Sequence, residues 1–323
     1  MNEKKIKIGS ICCGLGGFDL GCKNVGFETT WAIDIMKEAC ESFKANFPNT
    51  LVLQKDAHTI DDFSKLGSVD GLIFGPPCQG FSLANIKRKV SDERNLVYKA
   101  CLQAVEQTNC KFFIFENVKG ILSMKNEDGT LFFDNVLDDY THCGKGYNLS
   151  WKLIDCSTVG VPQLNRYRVI IVGIRKDLNI RYKFPHEPFG DTLPLVTLRD
   201  TIYHLKDINQ DGDYDTSGFS PMYLSRNRQK TWDEPSFTIE ASGRQAKLHP
   251  DGGQMIKTDT NKWHIPNSCR KLSTLECKLI QTFPEDFIVT GSLSKRYEQI
   301  GNAVPPKLAE HIARPIFDII KKL

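Results

Sequence analysis

At 323 residues, with 40% hydrophobic and 25% charged residues, the chain can bury one large core or two medium ones, which argues against a disordered or fibrous protein. A net charge of +3 is only mildly basic; it neither demands nor excludes a nucleic-acid partner, because a local basic face can be cancelled elsewhere. The 11 cysteines are odd in number and form no C-x-x-C pair, the charged N-terminus lacks a signal-peptide core, and no run nears the ~20 apolar residues of a membrane span, so we expect reduced thiols, no metal, no membrane segment and a cytoplasmic protein.

In chain order, residues 6–12 read as a strand, then Gly14, Gly16 and Gly17 punctuate the chain before a helix over 18–25. Further strand-like runs lie at 29–33, 72–74, 112–115, 151–156 and 169–174, with helices predicted at 36–47 and 95–107. This alternation predicts a mostly parallel α/β sheet with helices on both faces. From about 185 to 268 the chain is rich in Pro, Gly, Asp, Asn, Ser and Thr and has little helical period. It reads as a smaller, irregular domain inserted into the first. Helical pattern returns at 273–282 and 306–320, where the chain is expected to rejoin the sheet. The expected division is therefore 1–184, 185–268 and 269–323.

The glycine cluster at 13–21, CGLGGFDLG, follows a strand and opens a helix. There, backbone N–H groups at a helix N-terminus are offered to an anionic group. A tight turn alone would look the same. Asp34 adds weight, because it ends the next strand about 20 residues on, where an acidic residue accepts from ribose hydroxyls. Asp56 follows in the KDAH segment. The turn is not G-x-G-x-x-G, which disfavours a dinucleotide; a nucleoside carrying a carboxylate fits as well as a nucleotide.

After the strand at 72–74 comes Gly75-Pro76-Pro77-Cys78-Gln79-Gly80-Phe81-Ser82. Two prolines stiffen the backbone before the thiol and glycines flank it. A buried structural thiol is the bland alternative, and this context is too specialised for it. Glu116 ends the run at 112–115. A nucleophile and an acid at one sheet edge suit addition to an electron-poor ring.

With those segments in view, the chain resembles the cytosine-C5 DNA methyltransferase family. The likeness is carried by CGLGGFDLG, GPPCQGFS, ENVKG, GVPQLNRYRVIIVG, RKLSTLECKLIQTFP and YEQIGNAVPP, in the family's order and over nearly the whole chain. The resemblance implies a Rossmann-like methyltransferase sheet, S-adenosylmethionine as cofactor and double-stranded DNA as partner, acted on by a monomer. A cognate restriction endonuclease is implied by family habit, not as a physical partner.

It also implies roles. Cys78 matches the nucleophile that adds to cytosine C6, and Glu116 the acid that meets N3 and the exocyclic amine. Arg166 and Arg168 match a basic pair near the catalytic pocket. Gly14 and Gly16 belong to the cofactor turn; Phe18, Asp34, Asp56 and Asn302 match cofactor-contacting positions. Residues 81–94, with Lys87, Arg88 and Lys89, match a loop that closes over flipped DNA. Within 185–268, expected to be the target-recognition domain, Arg226, Arg228 and Arg244 sit where members methylating GGCC-like sites read guanines. Phosphate contact is the rival reading for each arginine.

Two departures stand out. Cys12-Cys13 replaces the family's more usual residues at the first motif. The stretch Gln163-Leu164-Asn165-Arg166-Tyr167-Arg168 is one residue longer than the usual Gln-x-Arg-x-Arg, which leaves open what each arginine does. The alternatives are a tRNA-methylating relative, whose Cys-Phe-Thr tripeptide is absent here, and a non-catalytic DNA-binding relative, disfavoured by retention of Cys78 and Glu116.

Overall fold

The computed structural model describes residues 5–76, 97–126 and 128–323. The chain divides into two compact units. One comprises Met1–Ile154, Tyr167–His186 and Ala309–Leu323; the other comprises Asp155–Arg166 and Glu187–Leu308.

The first unit holds β1 (Ile6–Ile11), β2 (Phe27–Asp34), β3 (Leu51–Gln54), β4 (Gly71–Phe74), β5 (Phe112–Val118) and all but the last residue of β6 (Tyr147–Asp155). The two-residue β7 (Gln163–Leu164) belongs to the second unit, and β8 (Tyr167–Arg175) returns to the first. The seven strands lie in the order β3-β2-β1-β4-β5-β8-β6. Pairing is parallel from β3 through β5, and β8 runs antiparallel to β5. The sheet is thus mostly parallel, as the alternating pattern predicts.

The central strands are apolar runs because both faces are covered. In β5, Phe112, Phe113, Ile114 and Phe115 are all fully buried. Phe113 packs 4.7 Å from Tyr140 of the helix Phe132–His142, and Phe112 packs 5.6 Å from Phe27, which meets Phe317 of the C-terminal helix Pro306–Ile320 at 5.2 Å. Each such ring contributes about 1.5–3 kcal/mol of burial. Helix α1 (Gly17–Val25) turns Phe18, Cys22 and Val25 inward and stops at Gly26, whose φ of +123° few other residues adopt. Strand order reverses between β1 and β4, so the carboxyl ends of β1, β2, β4 and β5 gather where open α/β sheets bind ligands.

The second unit is mostly irregular, with β9 (Ser236–Phe237) pairing parallel with β7 and a small hairpin of Ile256–Asp259 and Lys262–His264. The helix Thr274–Ile280 is started by a capping box between Ser273 and Glu276. Of the two returning helical segments, the one at 273–282 lies in the second unit and the one at 306–320 lies in the first from Ala309 onward. Thr274–Ile280, and the helix Leu293–Asn302, pack within the second unit, and only the chain from Ala309 onward joins the sheet. Polar ties explain this. Arg296 pairs with Asp213 at 2.6 Å, Lys271 with Asp215 at 2.6 Å, and Gln163 donates to Gln281 at 2.8 Å. Among the described residues no helix is long and apolar enough to cross a membrane.

Candidate active site

At the end of β1 the backbone enters the left-handed region at Cys12, Gly14 and Gly16, with φ of 55°, 52° and 88°. Gly16 admits no side chain, because a Cβ there would come within 2.8 Å of the Phe47 ring. The turn is pinned from β2. The Gly14 amide donates to Asp34 Oδ2 at 2.8 Å and the Met36 amide to Asp34 Oδ1 at 2.8 Å. Burial pushes the Asp34 carboxyl up from its ordinary range, opposed by those two amides. No side chain caps α1 at Gly16.

Three neighbours complete this end of the sheet. Ile35 is 68% exposed, an apolar side chain presented to solvent directly after Asp34. Asp56 follows β3 and accepts from the His58 amide at 3.0 Å, and the Lys55 amide ties to the Asp34 carbonyl at 3.0 Å. Asp34 and Asp56 therefore flank one edge, where a ribose and a base could be held together. Phe18, by contrast, is buried in the inward face of α1.

Beneath the turn lies a residue that sequence reasoning missed. Asp19 is fully buried, and Ser10 Oγ and Thr29 Oγ1 each donate to it at 3.0 Å, joining β1 and β2 to α1. Burial pushes its carboxyl up to about 7, against the pull of those two hydroxyls. Its only sequence signal is a carboxylate on the apolar face of a short helix.

At the end of β5, Glu116 and Arg168 form an ion pair, Arg168 Nε to Glu116 Oε1 at 2.6 Å, with both side chains nearly buried. The antiparallel register sets Val118 opposite Arg168, which brings the guanidinium back over the carboxylate. Arg168 Nη1 also donates to the Tyr167 carbonyl at 2.9 Å. The other oxygen of Glu116 faces β4's end. A Cβ on Gly75 would lie 3.0 Å from Glu116 Oε2, so glycine there leaves room for the carboxylate. Gly75 precedes Cys78 by three residues. Cys78 itself, and residues 81–94 with Lys87, Arg88 and Lys89, lie outside the described residues.

A carboxylate oriented by a guanidinium, beside the strand end that leads into the cysteine segment, sits at the same edge as a glycine turn pinned by an acidic strand end. The family model for C-5 cytosine-specific DNA methylases matches residues 6–318. The chain belongs to that family. Among its relatives, the Bacillus subtilis type II methyltransferase M.BsuRI is 36% identical over 97% of this chain and 79% of its own length. The Neisseria gonorrhoeae type II methyltransferase M.NgoPII is 35% identical, over 96% and 95% of the two chains. The Entamoeba histolytica methyltransferase EhMeth shares the fold, with a TM-score of 0.71 over 98% of this chain and 99% of that one at 15% identity.

In this methylase the two arginines of the lengthened motif part company. Asn165 takes a φ of +62° between β7 and β8, which absorbs the extra residue. Arg166 falls in the second unit, almost wholly buried, and donates to the carbonyls of Ile239, Gly301 and Ala303 at 3.2, 3.0 and 2.7 Å. Within its own unit its guanidinium is bonded to three backbone carbonyls, whereas Arg168 pairs with Glu116 in the first unit. Arg166 instead grips the carbonyls on either side of Asn302, which is exposed at the end of its helix. The expected recognition arginines also differ. Arg226 and Arg244 are exposed, whereas Arg228 is 1% exposed.

Proposed function

We propose that this methylase transfers the methyl group of S-adenosylmethionine to C5 of a cytosine in a short, specific duplex site of the GGCC or GGNCC kind, as the modification enzyme of a restriction–modification system. The observation that carries the chemistry is the Glu116–Arg168 pair beside Gly75, at the strand end that leads to Cys78. Relatives named type II methyltransferases, aligned over most of both chains, support the setting.

The cofactor fits this chain's own residues. The uncapped start of α1 suits its carboxylate, Asp34 and Asp56 suit the ribose, and exposed Ile35 suits the face of the adenine. Gly14 and Gly16 shape the turn, and Asn302 is assigned to the same cofactor by resemblance. Bound there, it supplies an electrophilic methyl group.

Cytosine C5 is a poor nucleophile until the ring is activated. The Cys78 thiolate adds to C6, and the C–S bond drives an electron pair toward N3. Glu116, held in place by Arg168, keeps a proton at N3 and contacts the exocyclic amine. C5 thereby gains enamine character and takes the methyl group. Loss of the C5 proton and of the thiolate from C6 restores the ring and the enzyme. C5 and C6 are stacked inside a duplex, so the base must leave the helix first. We assign target recognition to residues 185–268, with Arg226, Arg228 and Arg244 reading guanines. Radiolabelled methyl transfer to duplex DNA but not to tRNA, with bisulfite sequencing that maps the product to sites with a GG/CC core, tests this reading. Label in tRNA alone would overturn it.

A further inference from the structure

Arg228 is the odd member of the three recognition arginines. Its guanidinium lies over the Tyr223 ring at 4.8 Å, and its Nε donates to the Tyr223 carbonyl at 3.3 Å. Nη1 reaches Glu240 Oε1 at 3.5 Å, while Nη2 is buried without a hydrogen-bond partner among the described residues. An unmet donor on a buried charge is destabilising, which marks Arg228 as a group held for a purpose other than stability.

Glu240 is shared. The same Oε1 accepts from Lys247 Nζ at 2.6 Å, and Lys247 is itself 7% exposed. Burial first, and then the charge of Arg226, push the Arg228 guanidinium down from its usual range, which places Arg226 close by. Burial likewise pushes Lys247 down, opposed chiefly by Glu240. Two cations thus share one carboxylate, which is a third exposed. The short contact goes to Lys247 and the long one to Arg228. Arg228 is therefore held by Tyr223 and Glu240 through Nε and Nη1, and only its Nη2 is left without a partner among the described residues.

We infer that Glu240 is a positioning residue for DNA sequence recognition: together with the Tyr223 ring it holds the planar Arg228 guanidinium at a fixed angle, with one nitrogen kept for a base edge. This rests on the reading of Arg228 as a recognition arginine. Arg is suited to the task because its guanidinium is planar, so tying two of its nitrogens fixes the direction of the third. A guanidinium free to swivel aims that one donor at no particular base, so fixing its plane favours the matching guanine. The carboxylate also carries a cost, because a negative charge near DNA repels phosphate. Loss of the charge should therefore separate specificity from affinity, in opposite directions.

The test uses the full chain and two duplexes: one carries the methylation site mapped by bisulfite sequencing, the other the same site with one guanine pair replaced. We expect Glu240→Gln to lower the ratio of kcat/KM between the two duplexes at least 5-fold, with unchanged or tighter binding to the substituted duplex. Glu240→Asp should recover most of the ratio. Adding Glu240→Gln to Arg228→Ala should lower the ratio no further than Arg228→Ala does alone. If Arg228→Ala loses discrimination but Glu240→Gln keeps it, Glu240 does not position Arg228. If Arg228→Ala itself keeps discrimination, Arg228 is not a reader and both ideas fall. If Glu240→Gln weakens both duplexes equally and lowers Tm, Glu240 is only a structural counter-charge.

Discussion

Arg168 Nε sits 2.6 Å from Glu116 Oε1 across the antiparallel pair β5–β8, so the carboxylate expected to meet the cytosine ring is oriented by the strand beside it. Arg168→Ala should therefore lower the single-turnover rate about 100- to 1000-fold, the usual cost of losing an electrostatic group aimed at the transition state. DNA affinity should change far less. Arg168→Lys should recover little, because a point charge does not reproduce a planar fork. Rapid-quench measurement with saturating duplex separates the two effects. A large loss of binding with a normal chemical rate would reassign Arg168 to DNA contact.

Gly75 gives a test with no change of charge. A Cβ there would lie 3.0 Å from Glu116 Oε2, and one of the two must give. Gly75→Ala should cut kcat about 10-fold or more while Tm stays within a few degrees, since displacing a catalytic group by even ~1 Å is costly. Wild-type kcat in Gly75→Ala would mean that the carboxylate has room to spare.

Asp34→Asn removes a charge that accepts from both Gly14 and Met36. A charge-assisted hydrogen bond contributes about 1.5–3 kcal/mol, so S-adenosylmethionine affinity should fall roughly 10- to 100-fold. Calorimetric titration reads this directly. Unchanged affinity would leave Asp34 as a brace for the glycine turn and nothing more.

Asp19 makes stability depend on pH. Its folded carboxyl is raised to about 7 by burial, above the ordinary value near 4 that it has when unfolded. The unfolded chain therefore loses this proton first. The associated stability is complete below about pH 4 and is lost as pH rises through about 7. Asp19→Asn keeps the shape and removes the titration, so its Tm should fall less than that of wild type between pH 5 and 8. Parallel pH profiles for the two proteins would contradict this placement of Asp19.

Much of this candidate site was legible because its residues end apolar strands. Glu116 closes the run from Phe112 to Phe115, and Asp34 closes β2 at the expected offset from the glycine turn. What stayed hidden was pairing. No local pattern says that β8 runs against β5, and only that register gives Arg168, and not Arg166, to Glu116. Arg166 and Arg168 look alike in sequence; one is consumed by three carbonyls and the other by a carboxylate. Arg228 shows the same limit, since its burial against Tyr223 depends on tertiary packing. The helix Leu293–Asn302 was missed because few of its residues are apolar and only Tyr297 and Ile300 anchor it as large buried side chains. Asp19 was missed because a buried carboxylate on an apolar helix face runs against the pattern that sequence reading relies on.

The central claim is covalent addition to cytosine by Cys78 in a site organised by Glu116. Fluorine at C5 blocks the last elimination, because the ring then has no C5 proton to lose. The decisive measurement is SDS electrophoresis after incubating the protein with S-adenosylmethionine and a duplex carrying 5-fluorocytosine at the mapped position. Wild type should give a denaturation-resistant protein–DNA band, Glu116→Gln a much slower one, and Cys78→Ser none. A wild-type protein that methylates ordinary cytosine yet gives no such band, or a Cys78→Ser protein that gives a full one, would contradict the account.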